Sequence, residues 1–191
     1  GGLNTTYTLT VSVNAIICDP APAFTLENTS IYAADTNNNR LQRSDDDGMT
    51  WTSVGFGPGT TPGKFNAPRG VVASSDNMKI FVADTGNNRI QRSTDGGTTW
   101  AVIVGPGTAP NAVNQPGGLA YDEQNDKLYI ADTNNNRVLV TNTASTATAV
   151  TAIFAGSAAG RNLGQFSQPR SVAIDLNGAV YVSDTGNNRI Q

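Results

Sequence analysis

The sequence predicts an all-β fold, a β-propeller built of four-stranded antiparallel blades. Two observations lead to this prediction. A twelve-residue motif occurs four times, and its successive aspartates, Asp35, Asp84, Asp132 and Asp184, are 49, 48 and 52 residues apart. A period near 50 residues is typical of propeller repeats and too long for leucine-rich repeats. Each period also holds four short strand-like segments, and four strands make one blade.

The first 23 residues differ from the repeats. Tyr7–Val13 alternates apolar and polar residues without a break, which predicts an extended strand with one apolar face. This segment resembles the closing strand of bacterial immunoglobulin-like domains, and it is also a candidate donor strand. Asp19–Pro22 follows and predicts a stiff linker. We therefore divide the chain into an N-terminal strand with its linker, 1–23, and propeller blades, 24–191.

The twelve-residue motif predicts the two central strands of each blade and the turn between them. A short apolar run such as Ile80–Ala83 is typical of a buried strand. The polar Asp-Thr-Gly/Asn-Asn-Asn segment consists of residues that tolerate left-handed turn conformations. Arg89–Arg92 then alternates polar and apolar residues, like a half-buried strand. The four copies are Ile31–Gln42, Ile80–Gln91, Leu128–Leu139 and Val180–Gln191.

Two further strands complete each predicted blade. The innermost strand follows a proline, which is tolerated because it precedes the strand and need not donate to the ladder. These inner strands are Val71–Ala73, Leu119–Tyr121 and Val172–Ile174, and the outermost strands are Trp51–Val54, Trp100–Val104 and Val150–Phe154. The chain thus predicts three full blades, about Phe24–Gly59, Phe65–Gly107 and Gln115–Gly156, and a half blade, Phe166–Gln191.

The repeated motif carries a family resemblance. Ile80-Phe-Val-Ala-Asp84-Thr-Gly-Asn-Asn-Arg89-Ile-Gln91, preceded by Phe65-Asn-Ala-Pro68-Arg-Gly-Val, resembles the NHL repeat family. The resemblance covers roughly residues 24–191. It implies a propeller, usually six-bladed, that binds proteins, RNA or other ligands. A minority of the family are enzymes whose metal sites use histidine, and this chain has no histidine.

A second motif lies between the third and fourth strands of the first two blades. Ser44-Asp-Asp46-Asp-Gly-Met-Thr-Trp51 and Ser93-Thr-Asp95-Gly-Gly-Thr-Thr-Trp100 resemble the Asp-box turns of sialidase-type propellers. The resemblance implies that Asp46 and Asp95 accept turn hydrogen bonds and that Trp51 and Trp100 are buried between blades. Asp-boxes are structural in those enzymes, and the sialidase catalytic residues have no counterpart here. The motif therefore supports the fold and not an activity.

Composition excludes several classes of chemistry. Without histidine, the chain has no Ser-His-Asp or Cys-His catalysis and no His-ligated zinc. A single cysteine, Cys18, excludes an internal disulfide, and we interpret it as a small apolar residue near a strand end rather than a reactive thiol. A net charge of −3 with 14% charged residues disfavours nucleic acid as a partner. No apolar run reaches the roughly 18 residues of a membrane span.

The four repeat turns allow two interpretations. Asp35-x-Asn37-x-Asn39 and its counterpart at Asp132 offer oxygens at alternate positions, as calcium loops do, but lack a following bidentate glutamate. We favour the alternative, in which aspartate and asparagine satisfy the turn backbone and the arginine pairs with the aspartate. The predicted structural pairs are Asp35 with Arg40, Asp84 with Arg89, Asp132 with Arg137, and Asp184 with Arg189. We predict no catalytic residue, metal or cofactor.

The remaining charged residues also have two interpretations each. Asp45–Asp47 with Asp95 could form an acidic site, although a solvated turn fits better. Glu27 and Glu123 are the only glutamates, and nothing in the sequence sets either at a glycosidase separation from another carboxylate. Arg69 and Arg170 follow entry prolines and could line an anion-binding face, but we interpret them as rim residues.

The function predicted from the sequence is a non-catalytic interaction module or scaffold, extracellular or on a cell surface. Asn4 and Asn28 fit the glycosylation acceptor pattern, and the low lysine content agrees with secretion. An open arc of blades would expose apolar faces and an unpaired edge. We therefore expect a protein partner, which is either other copies, joined as a closed assembly or as a filament, or the rest of a longer chain. The alternatives are a glycan-binding or glycan-processing propeller and an NHL-type regulator that binds protein or RNA.

Overall fold

The computed structural model describes residues 30–143, 151–156 and 158–191, and these form four successive β-sheets. The first blade holds Ile31–Asp35 (β1), Arg40–Ser44 (β2) and Thr52–Val54 (β3). The second holds Gly70–Ala73 (β4), Ile80–Asp84 (β5), Arg89–Ser93 (β6), Ala101–Pro106 (β7) and Ala112–Val113 (β8). The third holds Pro116–Asp122 (β9), Lys127–Asp132 (β10), Arg137–Asn142 (β11) and Thr151–Ala155 (β12). The fourth holds Pro169–Ile174 (β13), Val180–Asp184 (β14) and Arg189–Ile190 (β15).

Each sheet is an antiparallel meander in which strands pair in chain order. The third blade has the four antiparallel strands that the repeat predicts. In the second blade the short strand β8 adds to the outer edge in parallel, with Gly105 opposite Ala112. The fourth blade has three strands, which agrees with the predicted half blade. The predicted all-β propeller fold is thereby confirmed. Each sheet packs face to face on the next one along the chain, as blades of a propeller do.

The core lies between blades rather than inside one sheet. Three apolar clusters fill the three junctions between consecutive blades. The cluster between the second and third blades includes Phe81 and Ile90 on one side and Leu128, Ile130 and Leu139 on the other. The second and third sheets bury both faces, so their central strands β5 and β10 are apolar almost throughout, which explains the short uninterrupted apolar runs in the sequence.

The repeat turn has the same backbone in all four blades. A three-residue 3-10 turn follows the aspartate, and the asparagine before the arginine then takes a left-handed conformation with φ between 52° and 54°. Asparagine adopts this conformation more readily than most residues, which accounts for its presence at this position in every copy. The affected residues are Asn39, Asn88, Asn136 and Asn188.

Several predictions concern residues outside the described ranges. The N-terminal strand Tyr7–Val13, the linker Asp19–Pro22 and residues 24–29 of the first blade are among them, so the division at residue 23 stays a prediction. The described part of the first blade comprises three strands, β1–β3. None of the helical segments in the described ranges is long and apolar enough to cross a membrane.

Candidate functional site

The repeat turn of the second blade is a closed hydrogen-bond network. Asp84 Oδ2 accepts bonds from Arg89 Nε at 2.7 Å, Asn87 Nδ2 at 2.9 Å and Gln91 Nε2 at 2.9 Å. Its other oxygen, Oδ1, accepts the backbone N–H of Asn66 at 2.7 Å. Asp84 is fully buried, and its two oxygens already accept four N–H donors.

The arginine of the same turn holds the loop that enters its blade. We call residues 55–69 the entry loop of the second blade, and 107–115 and 156–168 those of the third and fourth. The Arg89 guanidinium donates to the backbone carbonyls of Thr60, Thr61 and Lys64 in the entry loop. All five donors of an arginine can be used in such a cradle, and the pair with Asp84 keeps the guanidinium in place.

The other three turns repeat the predicted pairing. The arginine Nε lies 2.7 Å from the aspartate Oδ2 in every copy. Arg137 donates to the carbonyls of Thr108, Ala109 and Ala112, and Arg189 to three carbonyls of the fourth entry loop. The pairs are buried in the second and third blades and more open at the ends of the array, where the Arg40 side chain is 42% exposed.

These contacts argue against calcium in the turns. Asp35 accepts bonds from Asn38, Arg40 and Gln42, and Asn39 Oδ1 accepts the N–H of Ala67 at 2.7 Å. Oxygens that already accept N–H donors beside a guanidinium are poor ligands for a cation. No group of three or more acidic, histidine or cysteine side chains suited to a metal occurs within 30–143, 151–156 and 158–191.

The aspartates of the repeat turns differ in the direction in which their pKa is shifted. Hydrogen bonds from Arg40 lower the pKa of Asp35 below its usual value. Burial between blades raises the pKa of Asp132, and the N–H donors of Asn114, Asn135 and Arg137 oppose that effect. At Asp184 the donors outweigh burial and lower the pKa. The difference follows from position, because Asp132 lies between two blades whereas the fourth blade has an open side.

The repeat turns of the first three blades also bond to the next blade. Thr85 Oγ1 donates to Pro116 O at 2.7 Å, and Asn88 Oδ1 accepts the backbone N–H of Gln115 at 2.7 Å. Both partners belong to the start of the third blade. One turn therefore holds its own entry loop through aspartate and arginine, and the following entry loop through threonine and asparagine.

The two Ser-Asp-Gly-Thr-Trp turns share one geometry. Asp95 accepts the backbone N–H of Thr99 at 2.8 Å and its hydroxyl at 2.6 Å, while Ser93 donates to Asp95 Oδ1 at 2.8 Å. The same bonds surround Asp46. Hydrogen bonds, first of all from the threonine hydroxyl, lower the pKa of both aspartates to about 2. These carboxylates stabilise the turn.

The prediction that both tryptophans are buried between blades is wrong for Trp51, which is 39% exposed. Trp100 is partly buried and packs edge-to-face on Phe65, with ring centroids 5.3 Å apart. The preceding blade accounts for the difference, because the Trp100 turn lies against Val54 of the first blade. The Trp51 turn has no preceding blade among the described residues.

A concave groove of about 760 Å³ runs along the inner strands of the second, third and fourth blades. Its floor is apolar, with Val72, Leu119 and Val172, and its far end carries Asp122 and Asp175. The groove is lined by the inner strands, which in a propeller are the strands nearest the central axis, and by the turns that follow them. Sequence reasoning missed it, because no single repeat contains it.

The remaining candidate residues lie apart from one another. Glu123 accepts the N–H and hydroxyl of Ser75 and so joins two neighbouring turns. Arg69 and Arg170 are exposed, as expected of rim residues. Asp45 pairs with Arg43, away from Asp95, so the four aspartates of the suggested acidic site are divided between two turns. Asn4, Cys18, Glu27 and Asn28 lie outside the described residues.

The outward face of the fourth blade is the largest departure from the repeat pattern. Tyr181 is 49% exposed and Ile190 is 68% exposed. Their counterparts are buried: Phe81 and Ile90 in the second blade, and Tyr129 and Val138 in the third. Those residues are covered by the next blade, whereas no blade within the described ranges follows the fourth.

Two residues of the repeat turn, its threonine and its last asparagine, were not predicted to make contacts between blades. The threonine and the final asparagine recur in every copy, and that recurrence was the available signal. It was attributed to the turn backbone alone, because their partners lie 31 and 27 residues further along the chain. A hydrogen bond between blades has no signature within a twelve-residue motif.

The comparisons with known proteins agree with this geometry. The NHL repeat family model matches residues 65–92, 113–140 and 166–191. Among curated protein sequences no significant match is found. Similar solved structures include the nidogen/laminin complex, with 19% identity, a TM-score of 0.63 and coverage of 84% of this chain and 53% of that one.

Two bacterial structures are similar to the same degree. An auxiliary nutrient binding protein from Bacteroides thetaiotaomicron has 16% identity and a TM-score of 0.63, and the match covers 86% of this chain and 44% of that one. A gluconolactonase from Xanthomonas campestris has 17% identity and a TM-score of 0.61, with 82% and 52% covered. The chain spans about half the length of these proteins, and at such identities the likeness concerns the fold. Residues 65–92, 113–140 and 166–191 match the NHL repeat family, each match ends just after a repeat turn, and these repeats form successive blades of a β-propeller fold.

Proposed function

We propose that this chain is a non-catalytic extracellular interaction module that associates, through its end blades, with other copies of itself or with further blades of a longer protein. NHL propellers are protein-binding modules, which is the general part of the proposal. One observation carries the specific part. The fourth blade exposes Tyr181 and Ile190. In the second and third blades the residues at the same repeat positions are covered by the blade that follows. An exposed apolar sheet face beside an open edge is typical of an interaction surface.

Sedimentation over a range of protein concentrations tests this association. We expect a mass above that of one chain, rising with concentration. Replacing Tyr181 or Ile190 by Asp places a charge on the proposed contact and is expected to shift the mass toward one chain. Leu163→Asp is the matched control, because Leu163 is 90% exposed and belongs to an entry loop. A mass of one chain at all concentrations would refute association between copies.

The absence of catalysis is supported by the way the acidic groups are used. The repeat aspartates bond to arginine, asparagine and backbone N–H groups, and the Ser-Asp-Gly-Thr-Trp aspartates bond within their turns. We expect no hydrolysis of gluconolactone or of glycoside, peptide and ester substrates, with or without added divalent ions. Turnover that disappears when one groove carboxylate, such as Asp175, is replaced by Asn would overturn this part of the proposal.

Recognition of a glycan is the second candidate, and the groove is the observation that favours it. It combines an apolar floor with carboxylates at one end, an arrangement that can stack and hydrogen-bond a polar small molecule. A glycan array separates the two candidates, since the interaction module is expected to bind none of the glycans. Binding that is lost in Asp122→Asn and Asp175→Asn, but kept in Tyr181→Asp, would favour the groove.

The extracellular location has its own test. Asn4 and Asn28 are in acceptor sequences for N-glycosylation. Expression through a eukaryotic secretory route is expected to add glycan mass that an endoglycosidase removes and that is lost when both asparagines are replaced by Gln. The third candidate, an RNA-binding regulator, predicts salt-dependent RNA affinity, which the net charge of −3 disfavours.

A further inference from the structure

The threonine of the repeat turn makes the same contact at each junction between blades. Its hydroxyl donates to the carbonyl of the proline that begins the next blade. The distances are 2.8 Å from Thr36 to Pro68, 2.7 Å from Thr85 to Pro116 and 2.8 Å from Thr133 to Pro169. Because the same two atoms meet at all three junctions between described blades, this hydrogen bond is a constant part of the contact between one blade and the next.

The last asparagine of the turn makes a second constant contact. Its Oδ1 accepts the backbone N–H of the residue before that proline, at 2.7 Å from Asn39 and Asn88 and 2.8 Å from Asn136. The donor residues Ala67, Gln115 and Gln168 all have a left-handed backbone, with φ between 43° and 48°. This conformation turns the N–H toward the asparagine, so the partner of each turn is a left-handed residue followed by proline.

At the fourth blade the same two groups are exposed. Thr185 and Asn188 are on the surface, and neither side chain has a hydrogen-bond partner among residues 30–143, 151–156 and 158–191. They flank the exposed face of Tyr181 and Ile190. The fourth turn therefore presents one hydroxyl donor and one amide acceptor in the arrangement that binds a left-handed residue and proline elsewhere in the chain.

The sequence contains one more segment of the required kind. In each entry loop an apolar residue precedes the proline by three positions, as Phe166 precedes Pro169. Ile17-Cys18-Asp19-Pro20 has this pattern, and Pro20 precedes Asp35 by 15 residues, just as Pro169 precedes Asp184. Aspartate is among the residues that adopt a left-handed conformation most readily. The segment lies outside the described residues, and its sequence gives Asp19-Pro22 a second interpretation besides that of a linker.

We infer that the fourth repeat turn is a docking site for the Ile17–Pro20 segment of a second copy, with Asn188 accepting the N–H of Asp19 and Thr185 donating to the carbonyl of Pro20. The inference rests on the proposed function, since it identifies the partner of the same blade face. Closing the array removes its open edges, and a second copy supplies the needed loop.

Crosslinking between copies tests this contact. In a Cys18→Ser background, Asp19→Cys and Asn188→Cys are introduced into one chain, and a short bismaleimide is added. We expect crosslinked dimers, or longer species if copies join end to end. The internal counterpart is Asn136→Cys with Gln168→Cys, two positions that are in contact within one chain. The crosslinker is expected to join these two thiols within the chain, so that no dimer forms.

A second readout uses the polar pair alone. Thr185→Val with Asn188→Gly removes the two hydrogen bonds and preserves the fold, because neither side chain has a hydrogen-bond partner within the described residues and glycine accepts the left-handed backbone at position 188. Two hydrogen bonds correspond to a rise of about 5- to 100-fold in the dissociation constant of the dimer. The thermal midpoint, measured at a concentration at which the chain is monomeric, is expected to be unchanged.

The outcomes separate this inference from the proposed function. If copies associate but the 19/188 pair forms no crosslink between chains and the double variant binds normally, the docking segment is wrong while the association stands. Crosslinks within a single chain would also overturn the inference, because they would place the segment against its own fourth blade. A monomer at all concentrations overturns this inference and the association between copies, and leaves only the association with further blades of a longer protein.

Discussion

Arg89 donates from Nε to Asp84 Oδ2 over 2.7 Å, and the two side chains are only 9% and 0% exposed. The pair lies between the turn of the second blade and the entry loop that precedes it. Buried ion pairs add little stability when compared with apolar replacements, but removing one partner leaves an uncompensated charge. The pair is therefore best understood as the anchor of a loop whose carbonyls it bonds.

The first prediction compares this arginine with its exposed counterpart. Arg89→Met leaves the Asp84 carboxylate and three loop carbonyls without their donor, and we expect a loss of about 3–5 kcal/mol in the free energy of unfolding. Arg40→Met, at the 42% exposed pair, is expected to cost about 1 kcal/mol or less. Chemical denaturation measures both. Equal losses for the two variants would show that burial does not determine the contribution of the pair.

The second prediction concerns the two tryptophans. Trp100→Ala removes the ring that packs on Phe65 and is expected to cost about 3 kcal/mol or more. Trp51→Ala is expected to cost about 1 kcal/mol, since the side chain is more exposed and has no preceding blade against it in the described chain. The same denaturation experiment tests the pair. A larger loss for Trp51 would mean that another segment covers it.

The third prediction is a pH dependence. Hydrogen bonds lower the pKa of Asp95 from 3.8 to about 2, so its ionised form stabilises the fold above the unfolded value and this contribution is lost as the pH falls toward 2. We expect Asp95→Asn to be less stable than the wild type at neutral pH, and the difference to shrink between about pH 4 and pH 2. Denaturation at a series of pH values measures it. Asp47→Asn is the control, because that carboxylate accepts no hydrogen bond within the described residues.

The fourth prediction separates steric conflict from backbone strain in one loop. Gly55 and Gly57 both have positive φ, 90° and 81°. A Cβ on Gly55 would lie 2.5 Å from Phe65 Cε2 and 2.8 Å from the carbonyl of Gly63, whereas a Cβ on Gly57 meets nothing within 4 Å. We expect Gly55→Ala to be about 1–3 kcal/mol less stable than Gly57→Ala. Similar stabilities would indicate that the loop adjusts freely.

The fold was predictable because the same strand–turn–strand pattern occurs four times in the sequence. The apolar runs at Ile80–Ala83 and Leu128–Ala131 predicted central strands, and the Asp-Thr-Gly/Asn-Asn-Asn segment predicted the turn between them. Strand bounds differ from those predicted by one to three residues: β3 begins at Thr52 rather than Trp51, and β13 begins at Pro169 itself rather than at Val172. Such differences at strand ends are expected, since the hydrogen bonds there compete with those of the turns.

The contacts between blades were not predictable in the same way. The exposure of Trp51 depends on what precedes the first blade, and the groove depends on three inner strands that no single repeat contains. The partners of Thr85 and Asn88 lie about one half of a repeat further along the chain. Local pattern reasoning covers the residues within a hairpin, whereas these features depend on the packing of one hairpin against another.

The double role of the repeat turn has a consequence for how such genes change. Each unit of 48–52 residues brings one half of the junction behind it and one half of the junction ahead. Tandem duplication or loss of a whole unit recreates the same junction and leaves no buried polar group unmatched, because stability in such arrays is largely a matter between neighbours. A shift of the breakpoint into a turn would separate aspartate from arginine and lose both junctions. Lineages carrying this repeat are therefore expected to differ by complete units, with length changes collected in the outer hairpins and entry loops.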